Sequence, residues 1–265
     1  MSYVISISNQ KGGVAKTTTA ISIAAELSKN KNSVLIIDLD PQCSATSGLG
    51  MRSKEDDNVD LYDVFFSNCS LNDIIKSTEF PNLDIAPSSS DLVSIELEIG
   101  KKPGRELILQ TEIGLLKNTY DYVIIDCPPS SGLLSLNALA ASNSLIIPLQ
   151  AEYYALEGIS SLMQTIKFVN STINPNLNIL GVIVTMFDSR TNLSVQVLEE
   201  AKKYFNELMF NSIIPRNIRI SESPSHGMPI CYYAPKSKGA IAYSELTQEV
   251  LERTNSFFEE QTING

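Results

Sequence analysis

A short segment near the N-terminus combines glycines, lysines and hydroxyl side chains at a spacing suited to phosphate. It reads Asn9-Gln10-Lys11-Gly12-Gly13-Val14-Ala15-Lys16-Thr17-Thr18-Thr19 and precedes an apolar helical run at residues 20–27. Glycines let successive backbone N–H groups point into one concavity, and a helix N-terminus adds partial positive charge. Lys16 can reach terminal phosphates, and the Thr17 hydroxyl can ligate Mg²⁺. The segment predicts a phosphate loop, because a basic turn that only caps a helix would need neither the adjacent glycines nor the flanking lysines.

The spacing departs from the common phosphate-loop pattern GxxxxGK[ST]. Gln10 and Ala15 stand where that pattern has its two glycines, and the segment fits the variant KGGxxKT[ST], whose first lysine is Lys11. The variant resembles the deviant Walker A motif of partition ATPases, septum-positioning proteins and the nitrogenase iron protein, in which glycine is usual at the position of Ala15. If the loop requires a positive φ there, alanine costs on the order of 1 kcal/mol relative to glycine and can weaken nucleotide binding.

Two carboxylates follow the second apolar run, at residues 34–37. Asp38 and Asp40 come at the point where this predicted strand ends. A carboxylate here can position the attacking water for in-line phosphoryl transfer, or hold a metal ion through water. The alternative is a simple turn at Asp40-Pro41 that the carboxylate caps.

A third acid, Asp126, ends the apolar run at residues 122–125. We interpret it as a Walker B residue that holds Mg²⁺ through its water shell. The Pro128-Pro129-Ser130 segment that follows is then a switch that senses the γ-phosphate.

The elements that must position these residues alternate between strand and helix patterns. Buried strands are predicted at residues 3–7, 34–37, 122–125, 145–147 and 179–184, with a weaker one at 83–86. Helices are predicted at residues 20–27, 91–99, 105–116, 155–169 and 240–258. This order implies parallel strands joined by right-handed crossovers, with ligands at their carboxyl ends. We expect a three-layer α/β/α P-loop NTPase fold with a mostly parallel central sheet, forming one domain over residues 1–265.

Composition excludes several other classes of protein. With 43% hydrophobic and 19% charged residues the chain is an ordinary globular protein. It has no apolar run of about 18 residues and no cleavable leader pattern, so we expect a cytoplasmic protein without a membrane span. The four cysteines lie far apart and read as free thiols rather than as a disulfide framework or cluster site.

Over essentially its whole length the chain resembles the ParA/Soj family of chromosome and plasmid partition ATPases. The blocks that carry the resemblance, in order, are NQKGGVAKTTTA, DLDPQCSATSGLG, DYVIIDCPPS, IIPLQAEYYALEGISSL, LGVIVTMFDSRTNLS and IIPRNIRISESPSHGMPI. The resemblance implies slow hydrolysis of ATP with Mg²⁺, stimulated by a ParB-type centromere-binding partner. It also implies a nucleotide-dependent homodimer, in which Lys11 reaches the partner's nucleotide and Gly12 permits close approach of the two loops.

The same resemblance assigns roles to individual residues. Catalysis rests on Lys11, Lys16 and Asp40, and the metal lies at Thr17 and Asp126. The residues implied to bind nucleotide are Lys11, Gly12, Gly13, Val14, Ala15, Lys16, Thr17 and Thr18, with Pro215 and Asn217 on the base side.

Relatives of this type bind double-stranded DNA without sequence preference, through basic residues of the C-terminal half of the ATP-bound dimer. Residues 186–239 hold 7 Lys and Arg against 5 Asp and Glu, although the whole chain has a net charge of −10. The candidates for DNA binding are Arg190, Lys203, Arg216, Arg219, Lys236 and Lys238. Alternatives are a solvated basic face, or pairing of Arg190 with Asp188 and of Arg219 with Glu222. DNA binding would make the protein nucleoid-associated.

Three other features bear on the class of function. A MinD-like membrane-cycling ATPase is the alternative reading, but the predicted helix at residues 240–258 is acidic and should be repelled by anionic lipid. An iron–sulfur carrier would need paired cysteines. The chain starts at the phosphate-loop strand, so we expect no N-terminal helix-turn-helix domain and no operator-specific repression.

Overall fold

A central eight-stranded sheet organises the molecule in the computed structural model, which describes residues 2–51, 59–152 and 157–264. The strands are β1 (Tyr3–Ile7), β2 (Val34–Asp38), β3 (Lys76–Ser77), β4 (Leu83–Ala86), β5 (Tyr122–Asp126), β6 (Ser144–Gln150), β7 (Asn178–Phe187) and β8 (Met209–Pro215). Their spatial order is β3-β4-β2-β5-β1-β6-β7-β8. The short β3 is antiparallel to β4, and the other neighbouring pairs are parallel. The predicted mostly parallel sheet is confirmed.

Helices connect the strands and cover both faces of the sheet. They are α1 (Lys16–Lys29), α2 (Ser44–Gly48), α3 (Leu61–Phe65), α4 (Leu71–Ile74), α5 (Ile95–Ile99), α6 (Ile108–Gly114), α7 (Leu133–Ala141), α8 (Glu157–Thr172), α9 (Asn192–Phe205), α10 (Ile218–Glu222), α11 (Ile230–Tyr233) and α12 (Lys238–Asn264). None of the helices in these described ranges is long and apolar enough to cross a membrane.

Neighbouring residues of the central strands point to opposite faces and enter different cores. Ile36 of β2 packs in a cluster with α1 and α12, while Leu35 packs in a second cluster on the other face. A third cluster lies between β6, β7, α8 and α9. These cores on both sides of one sheet give the predicted three-layer α/β/α fold.

The helix that carries the phosphate loop is fixed at its back by α12. The Tyr243 hydroxyl, buried on α12, lies 3.1 Å from the Thr19 hydroxyl on α1. Farther along α12, the Thr254 hydroxyl lies 2.7 Å from the Tyr122 hydroxyl at the start of β5. α12 therefore joins the first turn of α1 to the strand that ends in Asp126.

Several details of the predicted elements differ from the structure. The strands β3 and β8 were not predicted, and the predicted helix at 91–99 begins as a 3₁₀ turn, Ser90–Ser94, before α5. The helix predicted at 105–116 likewise divides into a 3₁₀ turn, Arg105–Leu107, and α6. The predicted start of the 155–169 helix lies outside the described residues, and α8 runs to Thr172. The single-domain assignment stays a prediction.

Candidate nucleotide site

The phosphate loop turns through two residues of positive φ before α1 begins. Gly13 has φ 73°, and Ala15, which caps the helix without a side-chain hydrogen bond, has φ 68° and ψ 32°. The Ala15 carbonyl accepts a hydrogen bond from the Thr19 N–H at 2.9 Å. The loop therefore does require a positive φ at Ala15, which is the condition under which alanine costs more than glycine at this position.

Lys16 lies inside the loop. Its side chain is buried, and its ammonium donates to the Lys11 carbonyl at 3.0 Å. Burial lowers the pKa of this ammonium, while Asp126, Cys127 and Asp40 act in the opposite direction. Lys16 is thus a nearly desolvated cation at a helix N-terminus, where a phosphate group would be its natural counter-charge.

Asp126 ends β5 beside this cation. Both of its carboxylate oxygens are buried, and neither has a hydrogen-bond partner among the described residues. The Thr17 hydroxyl lies close enough to lower the pKa of Asp126 but outside hydrogen-bonding geometry. Burial, followed by the Asp38 carboxylate, raises that pKa well above its usual range. A buried carboxylate with unsatisfied oxygens fits a cation close by.

The donor set at this point fits Mg²⁺ held jointly with phosphate. Within the part of the chain that the structure describes, no group of three or more His, Cys, Asp or Glu side chains is placed to hold a metal ion. Mg²⁺ characteristically uses one or two protein oxygens together with water and substrate phosphates. The Thr17 hydroxyl and the Asp126 carboxylate are oxygens of that kind.

The structure separates the two carboxylates of the second strand end. Asp38 accepts hydrogen bonds from the Thr46 N–H at 2.8 Å and the Thr46 hydroxyl at 2.7 Å. Burial raises its pKa to about 6. Asp40 instead lines the cavity over the phosphate loop, and one of its oxygens accepts from the Gln42 N–H at 3.0 Å. Asp38 therefore stabilises the chain around α2, and Asp40 is the carboxylate that faces the site.

Two adjoining cavities lie over this edge of the sheet. The first, of about 420 Å³, contains Gly12, Gly13, Lys16, Thr17 and Asp40 in its lining. The second, of about 220 Å³, contains Pro215 and Asn217. Both are lined by Ala15, Thr18, Met186 and Pro224. These shared residues join the two cavities into one cleft, which brings most of the predicted phosphate-side residues together with the base-side residues. Lys11 is not among the residues that line either cavity, and Val14 is buried.

Glu152, which the sequence did not point to, links Lys11 of the phosphate loop to Arg216 of the base-side segment. Its carboxylate lies 3.8 Å from the Lys11 ammonium and 3.7 Å from the Arg216 guanidinium. It also accepts a hydrogen bond from the Gln150 amide at 2.7 Å. Glu152 follows the carboxyl end of β6, and that position at the edge of the sheet is the signal that could have identified it.

The predicted DNA-binding residues are all exposed but do not form one group. Arg190 follows β7 and Arg216 follows β8, and the Arg216 N–H binds the Phe187 carbonyl at 2.9 Å. Lys238 is the first residue of α12, and this end of the helix packs directly against α10. The backbone at Gly239 lies so close to α10 that a Cβ there would overlap the Ile220 side chain. Four candidates, with Lys236 close by in sequence, therefore lie near the cleft: Arg190, Arg216, Arg219 and Lys238. Lys203 lies in the last turn of α9, about 17 Å along the helix axis from its start.

Two of these arginines are paired within their own segments. Arg190 binds both oxygens of Asp188, at 2.9 and 2.7 Å, and holds the pKa of that carboxyl at about 2. Arg219 donates to Glu222 at 2.9 Å. Both pairs are exposed to solvent, where such contacts contribute little to stability and exchange readily for other partners.

Other lining residues were also missed by sequence analysis. Ile21, Ser44, Met186, Thr185, Ile220, Ser221, Pro224 and Tyr243 line the two cavities. Met186 has φ 53° near the end of β7, a backbone feature that a methionine in an apolar run does not reveal.

Comparison with known proteins places this cleft in a family. An AAA domain family model matches residues 2–179. The sporulation initiation inhibitor protein Soj of Bacillus subtilis is 49% identical over 250 residues, which cover 94% of this chain and 98% of Soj. The chromosome partitioning protein ParA of Myxococcus xanthus is 47% identical over 252 residues, covering 94% of this chain and 88% of that protein. The chain belongs to the Soj/ParA family of partition ATPases.

The Soj/ParA fold is also shared with a solved structure that carries nucleotide. Cobyrinic acid a,c-diamide synthase from Mycobacterium smegmatis, with bound ADP and magnesium, superposes with a TM-score of 0.84. It is 36% identical in sequence, and the match covers 97% of this chain and 96% of the other. The predicted membership of the Soj/ParA family is confirmed.

Proposed function

We propose that this protein is a partition ATPase that uses ATP and Mg²⁺ to control its own dimerisation and its binding to DNA. The observation that supports the proposal most strongly lies in the cleft: a desolvated lysine, Lys16, lies beside a buried carboxylate, Asp126, whose oxygens have no hydrogen-bond partner in the described part of the chain. A group with phosphates and a divalent cation would satisfy both charges at once. Family membership identifies that group as ATP.

The residues of the cleft divide the work of hydrolysis. The loop N–H groups and Lys16 bind and orient the phosphates, with Thr18 and Val14 as parts of the same loop, and Pro215 and Asn217 border the base. Bound Mg²⁺ would neutralise developing charge on the phosphates, held by Thr17 and Asp126. Asp40 accepts a hydrogen bond from the attacking water and aligns it.

Lys11 and Gly12 act between two copies of the chain. The Lys11 ammonium is half-buried and rests against Glu152 at 3.8 Å, an exposed ion pair that costs little to break. Among the residues that the structure describes, a Cβ at Gly12 would have no neighbour within 4 Å, so no described contact within one copy requires glycine there. A second copy approaching this loop supplies the requirement, and Lys11 then leaves Glu152 for the partner's nucleotide.

The ATP-bound dimer binds DNA through the basic residues near the cleft, and a ParB-type centromere-binding protein stimulates hydrolysis and releases it. Arg190, Arg216, Arg219 and Lys238 make up the local patch, with Lys236 beside it and Lys203 as an outlying contributor. Dimerisation doubles the patch on an otherwise acidic chain. The protein acts in the cytoplasm at the nucleoid.

The structure gives no reason to prefer the MinD-like alternative. The last helix, α12, has exposed acidic residues such as Glu245, and its Arg253 is bound to backbone carbonyls instead of facing a membrane. Binding to anionic vesicles and not to DNA would reverse this ranking.

The DNA patch is tested by Arg219→Ala with an ATP analogue across a salt series. Wild-type binding to a random-sequence duplex should fall with salt, and loss of Arg219 from both copies should reduce the log–log slope by about 2. Glu222→Gln, which frees Arg219 from its pair, should strengthen binding. The matched control is Lys117→Ala. Lys117 is an exposed lysine that precedes β5, at the amino ends of the strands and so away from the cleft. Equal losses in the Arg219 and Lys117 variants would contradict the assignment.

A further inference from the structure

The loop that follows Asp126 is tied to a helix outside the nucleotide cleft. This loop, residues 127–132, joins β5 to α7, and its Pro129 lines the larger cavity. At its far end the Leu133 N–H donates a hydrogen bond of 2.6 Å to Glu96 Oε1. Glu96 belongs to α5, 37 residues earlier in the chain.

Glu96 caps the N-terminus of α7, where the loop itself provides no capping side chain. Gly132 is the N-cap of α7 and carries no side chain to accept from the first N–H groups of the helix. The Glu96 carboxylate accepts from one of them and places negative charge at the positive end of the helix. A charge-assisted bond of this length is stronger than a neutral one.

The approach of Glu96 also explains the residue at position 132. Gly132 has an ordinary φ of −77°, so backbone strain does not require glycine. A Cβ at this position would overlap Glu96 Oε1 and displace the carboxylate. Glycine at 132 and glutamate at 96 are therefore parts of one contact.

The helix that carries Glu96 is packed against the same core as the loop. Its neighbours Ile95 and Ile99 are buried in the same cluster as Cys127, the first residue of the loop, and Leu133, which follows the loop. The loop is also tied to α7, because the Ser135 hydroxyl of that helix donates a hydrogen bond to the Ser130 carbonyl at 2.6 Å. The loop is thus held at Asp126 on the sheet, at Ser130 by α7 and at Leu133 by Glu96, and these anchors set where Pro129 lies in the lining of the cavity.

We propose that Glu96 is a positioning residue for ATP hydrolysis, acting through the Leu133 N–H to hold residues 127–132 against the γ-phosphate side of the cleft. The proposal rests on the assignment of the cleft to ATP made above. Because the loop faces the terminal phosphate, loss of the contact lowers the rate of hydrolysis and leaves the binding of ADP nearly unchanged.

The test compares Glu96→Ala with Glu96→Gln, whose amide oxygen can still accept from Leu133. Single-turnover ATP hydrolysis should fall about three- to tenfold in the alanine variant, while the Kd for ADP stays within about twofold. Glutamine should retain at least half of the wild-type rate. Amide hydrogen exchange at residues 127–135 should rise in the alanine variant only.

Two further variants separate positioning from a general loss of stability. Gly132→Ala does not change residue 96, but its added Cβ displaces the Glu96 carboxylate. This variant should reproduce the loss of rate. Glu98→Gln, on the same helix but bound to the Tyr62 hydroxyl at 2.8 Å, should behave as the wild type. If Glu96→Ala fails to fold, Gly132→Ala carries the test.

Wild-type hydrolysis in Glu96→Ala, or in Gly132→Ala where it carries the test, would overturn the proposal, as would an equal loss of ADP binding. A wild-type chain that does not hydrolyse ATP would instead overturn the proposed function.

Discussion

Individual residues of the phosphate loop show how far a motif determines conformation. The left-handed conformation of Ala15 was foreseen as a condition from the spacing of the motif, and the structure has it at φ 68°. The contacts of Glu152 with Lys11 and Arg216 could not be foreseen, because they join segments far apart in sequence through side-chain geometry. The distinct roles of Asp38 and Asp40 could not be predicted from the sequence either, because two carboxylates at one strand end differ only in what surrounds them.

Replacing Ala15 by glycine should stabilise the protein. The left-handed conformation costs alanine about 1–2 kcal/mol, and glycine removes this cost. The greater freedom of glycine in the unfolded chain offsets about 0.5–1 kcal/mol of the gain in stability. The free energy of unfolding should therefore rise by about 1 kcal/mol, measured by urea denaturation. Because the strain is already present before nucleotide binds, we expect it to reduce stability instead of weakening nucleotide binding as the sequence suggested, so the Kd for ADP should stay within about twofold.

Ala20→Gly is the matched control for this change. Ala20 is buried in the interior of α1, where glycine should lower the free energy of unfolding by about 1 kcal/mol or more. A loss of stability in both variants would show that Ala15 is not strained.

At the scale of elements, the strands with continuous apolar runs were predicted, and the strands without such runs were missed. The strands buried on both faces, such as β2 and β5, have uninterrupted apolar runs that fit central parallel strands. β8 lies at the edge of the sheet and includes Asn211 and Ser212, so its pattern is broken, and the two residues of β3 give no periodic signal. Nothing in the sequence predicts the contact through which α12 holds β8.

Glu249 makes that contact dependent on pH. Partial burial raises the pKa of its carboxyl, but hydrogen bonds from Ser212 and the Asn211 N–H outweigh burial and lower it overall. A carboxyl whose pKa is lowered on folding stabilises the protein above its unfolded pKa of about 4.3, and this contribution is lost as the pH falls through the folded value. Glu249→Gln should cost about 1 kcal/mol at neutral pH, discounted for exposure.

Urea denaturation at pH 7 and near pH 3 checks this expectation. The difference between wild type and Glu249→Gln should shrink toward zero at the lower pH. Glu245→Gln, an exposed position one turn earlier on α12, should differ little from wild type at either pH. A deficit in Glu249→Gln that is equally large at both values would contradict the account.

At the scale of the whole molecule, the resemblance of several motifs in the right order predicted the family and the fold, and both are confirmed. The roles of the site residues stay predictions, although the structure brings the phosphate-side and base-side residues to one cleft. Which basic residues share one surface was hardest to predict for the proposed DNA patch. Basic residues close in sequence need not be close in space, and Lys203 lies at the far end of α9 from Arg190.

We expect ATP, and not ADP, to convert this chain to a form that binds DNA. The decisive measurement is the binding of a random-sequence duplex to Asp40→Ala, which should bind Mg²⁺–ATP without hydrolysing it. We expect salt-sensitive DNA binding with ATP that is at least about tenfold tighter than with ADP, because only the ATP-bound dimer presents two patches. Equal affinity in the two nucleotides, or no DNA binding in ATP, would contradict the account.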